Sequence, residues 1–198
     1  MSVEPGDLAA RKAALRKALR TARREHVAAI DSRMKALLFM RPPAALAALV
    51  PAGAVIGLYA AVGDEAPTAA YARHFHEAGH TIAMPWFAKR SAPMEFRRWA
   101  SPHLEELMEP GPYGAAQPLA DADAAAPDVL FVPLVGFTAD GMRLGQGGGH
   151  YDRWLEKYPH VPAIGMAWDA QLAENLPTEA HDRPLAAVVT PTRLYGPY

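Results

Sequence analysis

Ala54-Val55-Ile56-Gly57-Leu58-Tyr59-Ala60 is the stretch whose reading decides the fold. It is a short apolar run between two breakers, Pro51-Ala52-Gly53 and Val62-Gly63-Asp64. That pattern suits a strand buried on both faces. Pro67 fits the first turn of a helix that runs to Ala78, where Gly79 ends it. Thr81-Ile82-Ala83-Met84 follows as a second strand. Strand, helix and strand joined by short links form a βαβ unit, and such a unit calls for a parallel sheet.

Working outward, residues 129–133, 163–167 and 185–190 read as three more core strands. Residues 94–99 suit an edge strand or hairpin arm, 110–114 a turn and 121–127 a loop. Towards the N-terminus, residues 7–26 have helical spacing, with Leu8, Leu15, Leu19 and Ala22 on one face. Basic side chains recur on another face, where Lys17, Arg20 and Arg24 read as solvated. Lys12 and Arg16, one turn apart, are candidates to reach a bound polyphosphate. A second helix is expected over residues 32–39, before Pro42-Pro43. The expectation is a three-layer α/β fold with a mostly parallel sheet flanked by helices, forming a single domain over residues 1–198.

Composition narrows the function. With 198 residues, 51% of them apolar and 21% charged, the chain has ample material for a core. A net charge of −1 gives no reason to expect nucleic acid as a partner. There is no cysteine, which excludes disulfides, thiolate chemistry and cysteine-zinc sites. The apolar stretch 45–61 is interrupted by Pro51 and Gly53, so no membrane span is expected. The N-terminus lacks the order of a signal peptide, so a cytoplasmic location is expected. No obligate protein partner is indicated.

The chemistry is carried by Asp140-Gly141-Met142-Arg143-Leu144-Gly145-Gln146-Gly147-Gly148-Gly149-His150-Tyr151-Asp152. Alternating glycines let backbone N–H groups turn toward one point, and the helix that follows adds a partial positive charge. Phosphate is the natural guest. Asp140, Asp152 and Arg143 flank the loop in a way that suits a metal-bound phosphate. The loop is not a P-loop, because no Gly-Lys-Ser/Thr tripeptide occurs in the chain. Nor is it a dinucleotide fingerprint, which needs glycine where His150 stands.

Arg-Leu-Gly-x-Gly-x-Gly-x-Tyr-Asp at residues 143–152 resembles the signature of the 5-formyltetrahydrofolate cyclo-ligase family, also called 5,10-methenyltetrahydrofolate synthetases. Lys12-x-x-x-Arg16, Glu65-x-x-Thr68, Pro112-Tyr113-Gly114 and His181-Asp182-x-Pro184-Leu185 fall in the family's order. The resemblance implies a Rossmann-like layout of the sugar-phosphate isomerase/CoA-transferase kind. It also implies ATP- and Mg²⁺-dependent closure of 5-formyltetrahydrofolate to 5,10-methenyltetrahydrofolate, with reduced folate and ATP as the small-molecule partners. On that likeness Lys12, Arg16, Arg143, Leu144, Gly145, Gln146, Gly147, Gly148, Gly149, His150 and Tyr151 bind ATP. Lys12, Arg143 and Tyr151 act in catalysis. Ala60, Glu65, His150 and Tyr151 line the folate pocket, and Asp152 and Asp182 hold Mg²⁺. The chain departs from the family pattern at Gln146, Gly148 and His150, and at Gln117, where the family carries an acid.

Three other readings compete. His76-Glu77-Ala78-Gly79-His80 fits His-Glu-x-x-His literally, which raises a zinc hydrolase. Gly79 argues against it, because both histidines must lie on one continuous helix to share a metal. Gln117 and Gln146 raise a folate- or nucleotide-binding module without turnover. A sugar-phosphate isomerase using the same glycine loop without ATP is the third.

Overall fold

The computed structural model describes residues 5–179 and 182–198. His181, part of the motif before the last core strand, lies outside them. Helix α1 (Pro5–Ala29) is followed by the short helices α2 (Ser32–Leu37) and α3 (Ala44–Ala47). Strand β1 (Val55–Gly57), helix α4 (Ala69–Glu77) and strand β2 (Thr81–Trp86) then make the expected βαβ unit. β1 and β2 pair in parallel, with Ile56 opposite Ile82. Strand β3 (Glu95–Arg98) returns antiparallel along the outer edge of β2. Strands β4 (Met108–Pro110) and β5 (Ala116–Pro118) form a hairpin around the expected turn. After β6 (Val129–Pro133), strands β7 (Gly136–Phe137) and β8 (Arg143–Leu144) form a second hairpin. Helix α5 (His150–Lys157) and strands β9 (Ala163–Met166), β10 (Ala187–Val189) and β11 (Leu194–Tyr195) complete the order.

The main sheet runs β11-β10-β9-β6-β1-β2-β3. All pairings from β10 to β2 are parallel, while the edge strands β3 and β11 run antiparallel. From β1 the chain moves one way to β2, and from β6 it moves the other way to β9 and β10. The carboxyl ends of β1 and β6 therefore flank a topological switch point, where open α/β sheets bind ligands.

Alternation along the strands sorts the core into two layers. Val129 and Phe131 face Val27, Phe39, Leu46, Tyr71 and Phe75, from or beside helices α1 to α4. Leu130 and Val132 face Trp154 of α5, with Phe96 and Val161. All four strand residues are fully buried, each contributing roughly 1.5–3 kcal/mol of transfer free energy. Small residues bring the α5 side close to the sheet. A Cβ on Gly165 would fall 2.6 Å from Leu134 Cδ2 and 2.8 Å from Leu185 Cδ1. The result is the three-layer, mostly parallel α/β fold that the sequence suggested.

Several details differ from the expectation. α1 buries Leu19, Arg23 and Val27, so a basic residue shares its inward stripe instead of sitting on the solvent side. α2 is capped by the Asp31 carboxylate, which accepts from the Arg33 and Met34 amides, and it stops at Leu37. Phe39, with φ of 56°, turns the chain back and sets its ring 5.3 Å from that of Trp168. The zinc reading is contradicted. α4 ends at Glu77 and Gly79 takes φ of 89°, so His80 leaves the helical face that His76 occupies. Glu77 pairs instead with His103 at 3.4 Å. Among the described residues no helix is long and apolar enough to cross a membrane.

Candidate active site

A cavity of about 540 Å³ opens at the switch point. Tyr59 and Ala60 after β1, Pro85 in β2 and Pro133 at the end of β6 form its floor. Its walls come from three directions.

The first wall is the glycine loop. β8 delivers Arg143 and Leu144, and α5 begins after five intervening residues. Gly147 and Gly149 have φ of 102° and 64°, conformations that a side chain would strain. The amide N–H groups of Gln146, Gly147, Gly148 and Gly149 find no acceptor among the described residues. Unmet donors on a loop that runs into a helix N-terminus make a cradle for an anion. Leu144 does not take part, because it is buried with Leu19 and Val135. Asp140 is also used elsewhere, accepting from Thr138 in the β7–β8 turn.

α1 backs this loop with a line of cations. Arg16 Nε donates to Gly145 O at 2.9 Å. Arg20, expected to be solvated, donates to Gln146 O at 3.1 Å and to Gln146 Oε1 at 2.8 Å. Arg23 lines the cavity and is only 8% exposed. Its Nε and Nη1 have no partner among the described residues, an arrangement that costs about 1–3 kcal/mol per unmet group. Lys12 and Arg16 do not border the cavity. Lys12 Nζ bonds Glu179 at 2.6 Å and Asp182 at 3.4 Å. Burial pulls the Lys12 pKa down, but the Glu179 hydrogen bond and the fields of Asp182 and Glu179 outweigh it, leaving it above the usual lysine value.

The second wall is the acid loop after β1. The Tyr59 hydroxyl donates to Ala66 O at 2.7 Å, Thr68 Oγ1 donates to Tyr59 O, and Trp168 Nε1 donates to Asp64 O at 2.8 Å. Thus held, Glu65 accepts from Val62 N at 3.0 Å and from Gln146 Nε2 at 2.8 Å. Glu65 and the phosphate-type loop are therefore bonded to each other.

The third wall is aromatic. The His150 ring lies 5.0 Å from both Phe87 and Tyr113, which lie 4.8 Å from one another. Gln117, 5% exposed, fixes Phe87 from both sides: it accepts from Phe87 N at 3.1 Å and donates to Phe87 O at 3.3 Å. It also donates to Glu109 at 3.2 Å, so the amide has a structural task that a carboxylate could not fill. Desolvation, then the charge of Arg153, lowers the His150 pKa, and its Nδ1 accepts from Arg153 Nη2 at 3.2 Å. Burial, then Glu65, raises the Tyr151 pKa, which keeps its hydroxyl protonated.

Arg143 and Asp152 line the cavity as an ion pair. Asp182 lies apart from it, accepting from Lys12 and from Glu179 N at 2.8 Å. Of the residues expected at the site, Ala60, Glu65, Arg143, Gly145 to His150, Tyr151 and Asp152 come together around one cavity. Arg23, Phe87, Tyr113 and Gln117 join them without having been expected there. Tyr113 had a signal in the Pro112-Tyr113-Gly114 motif; Arg23 was hidden in a basic run.

The sequence profile of the 5-formyltetrahydrofolate cyclo-ligase family matches residues 8–191. A 5-formyltetrahydrofolate cyclo-ligase of Mycolicibacterium smegmatis is 29% identical over 161 residues, covering 75% of this chain and 79% of that protein. The Escherichia coli K12 protein of the same name is 51% identical over 70 residues. That stretch spans 34% of this chain and only 38% of the relative's length. Among solved structures, a 5,10-methenyltetrahydrofolate synthetase of Mycoplasma pneumoniae superposes with TM-score 0.62 at 22% identity, covering 89% of this chain and 96% of that one. The Aquifex aeolicus synthetase gives 0.61 at 22% identity, with 94% and 92% covered. At that identity the two structures speak for the fold. The profile match over nearly the whole length carries the assignment: the chain belongs to the 5-formyltetrahydrofolate cyclo-ligase family.

Proposed function

We propose that the protein is a cytoplasmic enzyme that closes 5-formyltetrahydrofolate to 5,10-methenyltetrahydrofolate with ATP, releasing ADP and phosphate, and needs no protein partner. The observation that carries this reading is the bond between Gln146 of the glycine loop and Glu65 of the acid loop. It ties an anion cradle to a carboxylate across a cavity with aromatic rings, the layout needed for two different substrates.

The formyl oxygen attacks the γ-phosphorus, an O–P bond forms, and the bond to the ADP oxygen breaks. N10 then attacks the activated formyl carbon. Phosphate leaves with the former formyl oxygen, and the N10 proton is lost. Such transfers depend on positioning and charge neutralisation more than on covalent help from the protein. The free amides of residues 146–149 receive the phosphates, with Arg16 holding the loop in shape. Lys12, outside the cavity lining, would reach the triphosphate only on leaving Glu179 and Asp182. Arg143 neutralises charge on the transferred group. Glu65 accepts from pterin N–H groups, and Phe87, Tyr113 and His150 hold the folate ring. Tyr151, kept neutral, donates a hydrogen bond toward the reacting oxygen.

Asp152 fits Mg²⁺. Its side chain is 66% exposed beside the phosphate cradle and pairs only with Arg143 among the described residues. One such carboxylate with phosphate oxygens and water suffices for this ion, which supplies electrostatic stabilisation of the polyphosphate when bound. Asp182, engaged with Lys12 and the Glu179 amide away from the cavity, is not assigned to the ion. The test is the appearance of the methenyl chromophore on mixing protein, 5-formyltetrahydrofolate, ATP and Mg²⁺. A sugar-phosphate isomerase would turn over without ATP, and a binding module would hold ligands without releasing ADP.

A further inference from the structure

Arg23 sits on α1 beyond Arg16 and Arg20, on the same inward side. Arg16 and Arg20 are occupied by the backbone oxygens of Gly145 and Gln146. Arg23 comes three residues later, about 4.5 Å further along the helix axis. It lines the cavity, is 92% buried, and encloses two N–H groups without an acceptor among the described residues. Its surroundings lie toward the acid loop. Burial, then Glu65, raises the pKa of the buried Tyr59 hydroxyl, while Arg23 pulls it down, so both charges reach one point on the cavity floor. A guanidinium cannot shed its proton to escape burial. Unmet buried donors of this kind require an explanation, and a ligand acceptor supplies one.

We propose that Arg23 is a specificity residue whose guanidinium donates to the ring carbonyl oxygen of the pterin while Glu65 accepts from the neighbouring ring N–H groups. The assignment rests on the folate reading above. The pterin edge presents one carbonyl acceptor beside two N–H donors. A carboxylate alone reads the donors and leaves the carbonyl unread. An arginine next to it completes the pattern and rejects any ring in which that oxygen is replaced by a donor.

The test compares 5-formyltetrahydrofolate with its 4-amino-4-deoxy counterpart, in which an amino group replaces the ring carbonyl and the adjacent ring nitrogen loses its hydrogen. Binding of both is measured by titration calorimetry to wild type, R23M and R23K, with ATP affinity and thermal unfolding measured in parallel. Wild type is expected to favour the carbonyl ring by about 10- to 100-fold, the worth of one charge-assisted hydrogen bond. R23M is expected to lose the share of the preference that Arg23 supplies, keeping what Glu65 reads from the ring N–H, and R23K to keep more of it, with ATP affinity unchanged in both. R23Q, which keeps a donor without the charge, supplies the same reading should R23M fail to fold. A variant that keeps the full preference, or one that loses ATP affinity instead, overturns the assignment. Wild type that binds both rings equally overturns it as well. Wild type that binds no reduced folate contradicts the function reading itself.

Discussion

Gln146 Nε2 donates to Glu65 Oε1 at 2.8 Å, while Gln146 Oε1 accepts from Arg20 Nη2 at the same distance. One amide thus joins the helix that backs the glycine loop to the carboxylate of the opposite wall. Ordering the loop around phosphates would also order Glu65, so the two substrates should help each other bind. Gln146→Ala is expected to cut this mutual enhancement by about 2- to 10-fold, the range of one net hydrogen bond. Folate affinity measured with and without a non-hydrolysable ATP analogue checks it. Unchanged enhancement in the variant contradicts the coupling.

Gln117→Glu, which puts a carboxylate in place of the buried amide, should destabilise this chain. It would set a second carboxylate where Gln117 now donates to Glu109 at 3.2 Å, and would leave the Phe87 carbonyl without its donor. A loss of about 1–3 kcal/mol is expected near neutral pH. Like-charge contact raises the folded-state pKa of the pair above the unfolded value. The loss is therefore full above that raised pKa and shrinks as pH falls through it. Denaturant unfolding at several pH values reads this directly.

The His150 ring is expected to act as an acid-side switch on folate binding. Desolvation and the Arg153 charge hold its pKa below the ordinary imidazole value, so the ring is neutral at pH 7 with Nδ1 as an acceptor. A depressed folded-state pKa means that the neutral form is favoured above the unfolded value and lost as pH falls through the folded one. Folate affinity should fall as pH drops through that lowered value, on the acid side of the ordinary imidazole range. His150→Phe keeps the ring contacts with Phe87 and Tyr113 and should flatten that acid limb. An unchanged pH profile would falsify this role.

Lys12 is held by two acids outside the cavity lining, Glu179 and Asp182. Glu179→Gln removes the nearer competitor for its ammonium. The KM for ATP is expected to drop by about 2- to 5-fold, since an exposed ion pair is worth little. Lys12→Ala should raise that KM by about 10-fold or more, the loss of a charge-assisted contact. Steady-state kinetics at saturating folate separates the two effects.

The parallel centre of the sheet was legible because its strands are apolar on both faces and bounded by Pro and Gly, as in residues 54–60 and 129–133. The two side hairpins and β11 were not. Pairs as short as Gly136–Phe137 with Arg143–Leu144 carry no period and exist only through their partner strand. The glycine loop announced itself by composition. Arg20 and Arg23 did not, because helical spacing alone cannot say whether a basic stripe meets solvent or another loop. Gln117 read as a lost acid, and only its bonds to Phe87 and Glu109 reveal an amide's job.

The central claim meets its most direct test in one absorbance trace. Purified protein with 5-formyltetrahydrofolate, ATP and Mg²⁺ should develop the methenyl chromophore, one ADP released for each ring closed. Asp152→Ala should slow the rate by about 100-fold or more, through loss of electrostatic stabilisation beside the phosphates. A flat trace from folded protein that binds both ligands would contradict the account.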